Sequence, residues 1–336
     1  MTTDPVLVVA WLVLAHLVAD FILQTESIVI DKTSSGRHAW RGLVAHGAAV
    51  GLCLAPFAAA FGARGAGLTV VVTIAHIGID RWKVHATRHA EAVALAEAHR
   101  RHANAEPGDG LGPAWTPMPG ALFAIDQVAH VAVSIAAWIV FVAYVPPIGA
   151  FAVGIDNLVG TLDRGAFHAA TLAGVVFASL AIVNVRAAAL FVATLVHPRQ
   201  AVTGHEPENE AVIEQSRGWW QIRLGPFVAT AEPAPSPAGT VAGPQRPVPT
   251  DPAGYASPAR IGATIGVLER LLIVTFVLTN ATAAIGFVVG AKTLARFKQL
   301  DDRDFAEYYL LGTLASVAVA LGSALLADAA LATVGL

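Results

Sequence analysis

Cysteine is nearly absent from this chain: Cys53 is the only one in 336 residues, which excludes an internal disulfide and a cysteine-based metal site. Charge is scarce too. Asp, Glu, Lys and Arg make up 13% of the sequence, against about 25% in a soluble globular protein. The net charge of −3 is too small to suggest nucleic acid as a partner. The N-terminal MTTDP lacks the positive charges of a secretory signal, and the apolar run after it contains His16 and Asp20. That run is therefore expected to be a retained membrane helix. In place of charge there is apolar surface: 55% of residues are hydrophobic and the mean hydropathy is +0.62, the composition of a multi-pass membrane protein.

Apolar runs of spanning length fall at 6–24, 42–61, 65–83, 120–144, 169–195 and 308–326, with a further one at 262–291. The expected fold class is all-α, a polytopic transmembrane helical bundle. Residues 1–145 are read as a four-helix membrane core, 146–196 as a fifth membrane helix and 261–336 as a C-terminal hairpin and last helix. Between them, 197–260 reads as a cytoplasmic linker, rich in Pro, Ala and Gly and expected to be disordered from 232. Within it, Trp219, Trp220 and Arg223 suit the headgroup level. The polar segment after 65–83 is expected to continue as helix through Asn104, then break at Pro107, Gly108, Gly110, Gly112 and Pro113.

Basic residues orient the chain. Lys32, Arg37 and Arg41 lie in the loop 25–41; Arg81, Lys83, Arg88, Arg100 and Arg101 follow the third run; Arg199, Arg217, Arg223, Arg246 and Arg260 lie in the linker. The opposite loops hold Arg64 and Arg164. This places the N-terminus outside. A re-entrant hairpin breaking near Asn280 would also return Lys292, Arg296, Lys298 and Arg303 to the cytoplasmic side, giving six spans plus the hairpin. The alternative is seven spans, with 262–291 crossing once. The two arrangements put the C-terminus on opposite sides.

Three apolar runs carry His and Asp four residues apart: His16 and Asp20, His76 and Asp80, Asp126 and His130. The second run adds His46. On a helix that spacing stacks both side chains on one face, and ionisable groups inside a membrane helix face a partner, a cavity or an ion. The order reverses in the fourth run because that helix is antiparallel to the first and third. Counted from the cytoplasmic helix ends at 1.5 Å per residue, Asp20, Asp80 and Asp126 lie about 6, 4.5 and 9 Å deep. Their histidines lie at about 10–15 Å, and His46 at about 7.5 Å. The chain thus predicts a carboxylate layer with a histidine layer beneath it.

Four imidazoles and three carboxylates suit a divalent metal, Zn or Mn before Fe. Seven candidate ligands exceed what one tetrahedral ion needs and can hold two ions about 3.5–4 Å apart. Each pair taken alone has a plainer reading, an interhelical hydrogen bond or a proton relay. Gln24, Lys83 and Gln127 stand beside the cluster and are candidates to contact substrate, although Lys83 is equally an interfacial snorkelling lysine. His85, His89, His99 and His102 read as a solvated face. Asn184 and Arg186 should point inward, and Glu269 and Arg270 should find partners within the bundle.

The motifs HLVADFILQTESIVIDK (His16, Asp20, Gln24, Lys32), LVAH (His46), HIGIDRWK (His76, Asp80, Lys83) and DQVAH (Asp126, Gln127, His130) resemble the bacterial membrane proteins catalogued as domain of unknown function 3307. The later segments IGVLERLL and EYYLLGTLAS resemble its longer members. The resemblance implies a multi-pass protein of the bacterial inner membrane. It supports the choice of positions and brings no activity with it. From the residues themselves, the leading expectation is a metal-dependent membrane hydrolase acting on a phosphoester or lipid-linked substrate near the cytoplasmic face. The alternative is a proton- or divalent-cation-translocating protein using the same cluster, and a third class is a membrane scaffold. Membrane lipids are the expected partners.

Overall fold

A computed structural model of the protein describes residues 4–103, 116–160, 163–196, 221–224, 227–230, 258–301 and 303–336. The first helix, α1 (Pro5–Val18), starts where the Asp4 carboxylate accepts the Val6 N–H at 2.9 Å. A proline opens it, at a position whose N–H has no helical partner. It runs without a break into a wide π-helical turn, Ala19–Leu23. A short helix, α2 (Glu26–Lys32), follows, capped by the Thr25 hydroxyl. Then comes α3 (Gly36–Ala103), which Gly62 folds into two legs. Gly62 takes φ 58° and ψ −133°, a conformation that only glycine adopts readily. The two apolar runs predicted at 42–61 and 65–83 are these two legs, and the second continues as the predicted helical extension.

After α4 (Met118–Phe141) come α5 (Gly149–Val159), which the apolar pattern did not announce, and α6 (Arg164–Ile182). A second π-helical turn, Val183–Ala187, joins α6 to α7 (Ala188–Val196). The last helices are α8 (Pro258–Leu278), α9 (Ala283–Ala295) and α10 (Arg303–Ala332). The break expected near Asn280 is present: Asn280 turns the chain at φ 57°, a left-handed conformation that asparagine tolerates. Lys292 of α9 then lies 2.6 Å from Glu269 of α8, so the two helices fold back on each other. Within the expected linker, β1 (Gln221–Leu224) and β2 (Phe227–Thr230) form an antiparallel hairpin with Gln221 opposite Thr230. This is a local departure from an otherwise helical architecture. Trp219 and Trp220, the Pro-rich stretch from 232 to 257 and the breaks at 107–113 lie outside the described residues.

Among the described residues, five helical stretches are long and apolar enough to cross a membrane: Pro5–Leu23, Gly36–Arg101, Met118–Phe141, Arg164–Val196 and Phe305–Ala332. Their outer faces are apolar as well; Leu52 and Val140 are 70% and 74% exposed. A helix that is hydrophobic all round suits a lipid surround. Inside, Leu12, Val50, Leu54, Phe57, Leu68, Val72 and Ala137 form one core between α1, both legs of α3 and α4. Leu172, Leu180, Val274, Val277, Ala324 and Leu331 form a second core between α6, α8 and α10. Helix α1 packs against both.

Candidate metal centre

The polar end of the first core is where the ionisable residues converge. His16, Asp20, His46, His76, Asp80, Asp126 and His130 are all buried, and they come from α1 and its π-helical turn, both legs of α3, and α4. The four imidazoles are near neighbours: ring centres lie 3.9 Å apart for His76 and His130, 4.9 Å for His46 and His76, and 5.0 Å for His16 and His130. His46, which the depth count placed at the level of the carboxylates, at about 7.5 Å, therefore belongs with the histidines.

Asp20 departs from the layered expectation. The π-helical turn that contains it sets its carboxylate among the imidazoles rather than in a layer of its own. Its Oδ1 lies 3.2 Å from His76 Nε2, 3.3 Å from His46 Nε2 and 3.7 Å from His16 Nδ1. His46 Nε2 and His76 Nε2 are 2.9 Å apart. Three ligand atoms separated by 2.9 to 3.3 Å resemble the edges of a coordination polyhedron. Bond lengths near 2.0–2.1 Å about a tetrahedral ion give edges of about 3.3 Å.

Hydrogen bonds orient the rings so that bare nitrogens face inward. His130 Nδ1 lies 2.8 Å from the Asp126 carbonyl; a carbonyl only accepts, so Nδ1 carries the proton and Nε2 a lone pair. That Nε2 is buried without a hydrogen-bond partner. Gln127 does the same for His16. Its Nε2 donates to Asp126 Oδ2 at 3.0 Å, so its Oε1 accepts from His16 Nε2 at 3.1 Å. His16 Nδ1 is left as a buried lone pair, likewise without a hydrogen bond. The buried oxygens Asp20 Oδ1 and Asp126 Oδ1 are also without one. Unsatisfied buried groups of this kind are expensive unless something binds them. A second partner that fixes the tautomer is the arrangement usual at metal-ligating histidines.

The ligand atoms fall into three overlapping sets, each within 4.8 Å: His16, His76 and His130; Asp20, His46 and His76; Asp20, Asp126 and His130. Asp20 takes part in two of them. The other two carboxylates have lysine partners. Lys83 Nζ lies 2.7 Å from Asp126 Oδ2 and over the Phe123 ring, so it is a paired cation rather than one reaching for the headgroups. Lys32 Nζ donates to Asp80 Oδ2 at 3.1 Å and to Gln24 at 2.7 Å. In the sequence, Lys32 stands as a loop cation and as the last residue of the first family motif, with no partner assigned. It is buried because a β-carbon at Gly42 would strike the Lys32 backbone nitrogen. The end of α2 can lie flat on α3 only where α3 has no side chain. The signal in sequence was faint: a lysine and a glycine ten positions apart.

Away from this cluster, Arg270 donates to the Asn184 carbonyl at 2.7 Å and to Ser316 at 3.2 Å, and Asn184 donates to Ser323 at 3.1 Å. Arg186 donates to the Phe21 carbonyl at 3.0 Å. These groups point inward as expected and tie the second π-helical turn to α8, α10 and the first π-helical turn. His85, His89 and His99 are exposed.

Comparison with known proteins agrees with the motif resemblance over the region that builds the centre. Residues 8–153 match the family model described as "Protein of unknown function (DUF3307)". No curated protein and no solved structure matches the chain.

Proposed function

Residues 8–153 belong to the DUF3307 family, whose description names no activity, and from the site itself we propose a metal-dependent integral membrane hydrolase. Its substrate is a phosphoester or a lipid-linked molecule near the cytoplasmic face. The observation that carries this reading is the set of buried, unpartnered lone pairs on His16, Asp20, Asp126 and His130, grouped with His46 and His76 at ligand spacing. The donor set is all nitrogen and oxygen, which suits Zn or Mn, and the residues of the three sets, of which Asp20 is the one carboxylate common to two, would hold one or two ions. A metal held there would supply an activated water near neutral pH and charge for the oxygens of a phosphoester. Asp80 stands outside the three sets; its Oδ2 is bonded to Lys32 and lies 3.5 Å from His46 Nε2, beside the ligands. Gln127 and Lys83 hold ligands in place and Lys32 holds Asp80, while Gln24 faces the substrate.

Elemental analysis of protein purified without chelators tests this. Near-stoichiometric Zn or Mn is expected. Metal-free protein would overturn the reading and favour proton or cation translocation through the same residues. The packing supports the enzyme: one turn beyond the histidines lie Ser134 and Thr73, and past them the core turns to Leu12, Leu54, Phe57 and Leu68, whereas a pathway needs polar groups across the full thickness.

In the bilayer we place six spans, each leg of α3 counting as one, with α8 and α9 as a re-entrant hairpin and the N-terminus outside a bacterial inner membrane. Thirteen residues in α9 reach only about 20 Å, short of a span. A reporter fused to the C-terminus is expected to lie outside; a cytoplasmic reporter would support seven spans instead.

A further inference from the structure

Where the end of α2 meets the polar extension of α3 there is a cleft of about 350 Å³, within the range of small-ligand sites. Its walls carry Lys32, Arg37, Arg81, His85 and Arg88 together with two serine hydroxyls, and no Asp or Glu lines it. A cleft walled by one sign of charge concentrates ions of the other sign. Guanidinium groups in particular match the oxygens of phosphate.

The rest of the wall is apolar. Arg81 lies over the Trp40 ring at 4.8 Å, and Leu43 and Val84 complete that side. Trp40 is 50% exposed, and tryptophans half in and half out of a helical bundle mark the headgroup level of a membrane. A free phosphate would use the cations and leave this apolar wall bare. On the cleft's inner side is Lys32, bonded to Asp80, which is 3.5 Å from His46. The cleft and the metal-ligand cluster therefore meet through one side chain.

We propose that this cleft binds the phosphate-bearing headgroup of a membrane lipid, with Arg37 and Arg81 on the phosphate oxygens and the first part of the acyl or prenyl chain along Trp40 and Val84. That this lipid is also the substrate rests on the hydrolase reading above; its binding does not.

The test uses the full-length protein in detergent, with binding of dioctanoyl phosphatidic acid, dioctanoylglycerol and inorganic phosphate measured by calorimetry. Phosphatidic acid is expected to bind at least about tenfold more tightly than either of the others. The double variant Arg37→Gln/Arg81→Gln is expected to weaken it by about tenfold or more, the loss of one to two charge-assisted hydrogen bonds. A wild-type elution profile and melting temperature in detergent show that this variant is folded, and the exposed Arg37→Gln alone is expected to give part of the loss if the double variant does not elute intact. Equal binding of dioctanoylglycerol, or unchanged affinity in the variants, would overturn the proposal. Equally tight inorganic phosphate would overturn its lipid part. Wild-type protein that is metal-free yet binds phosphatidic acid counts against the hydrolase alone, and wild-type protein that carries metal but does not bind phosphatidic acid counts against the cleft alone.

Discussion

Asp20→Asn is expected to empty the centre of metal, with affinity falling by at least about 100-fold, the upper end of what losing even an outer-shell partner costs. The change keeps the shape of the side chain and removes its charge. Of the cluster's three carboxylates, Asp80 and Asp126 have lysine partners, whereas the cationic partners within 4 Å of Asp20 among the described residues are imidazoles. Removing a carboxylate that two ligand sets share disables both at once. The measurement is elemental analysis of the variant beside wild type, with Glu26→Gln, an exposed acid on α2, as the control that keeps its metal. Asp20→Asn protein that elutes intact and still carries stoichiometric metal would remove Asp20 from the ligand set. Because an amide keeps an oxygen donor but no charge, Asp20→Ala is expected to do no better.

Lys32→Met is expected to destabilise the metal-free protein by about 3–5 kcal/mol, the range for removing one partner of a buried ion pair. Lys32 and Asp80 are both buried, with Nζ and Oδ2 at 3.1 Å. Methionine fills the space of the lysine stem and leaves the carboxylate in a low dielectric with only the imidazoles of His46 and His76 beside it. Adding Asp80→Asn removes that stranded charge, so the double variant should recover most of the loss. Unfolding of chelator-treated protein in detergent, run as a double-mutant cycle, reads the coupling. A single variant within about 0.5 kcal/mol of wild type, as for an ordinary surface substitution, would show that Lys32 does not hold Asp80. Added Zn or Mn should shrink the defect, because a cation beside His46 takes over the charge that Lys32 supplied.

The gathering of the candidate ligands was legible in the chain. A His and an Asp one turn apart inside an apolar run are costly enough to require a partner, and reversing their order in α4 brings the same chemistry to the same end of an antiparallel helix. The turn at Asn280 could be read from charge, since the basic residues at 292–303 had to go somewhere. The short helix α5 could not, because its sequence is as apolar as the spans around it.

By itself, then, the sequence determined which helices are apolar throughout, which side chains they carry inward, and at which end those side chains meet. Helical periodicity and the cost of charge in lipid act residue by residue and need no partner to be known. Only the tertiary structure decided three things: that Asp20 stands among the imidazoles, that Lys32 holds Asp80, and that Arg270 bonds to the Asn184 carbonyl. The first depends on a π-helical turn, whose residues look the same in sequence as those of an α-helical one. The second depends on α2 lying against a bare glycine of α3, and the third on a contact across 86 positions. Each is set by which surfaces reach one another once the chain has folded, and no local pattern records that.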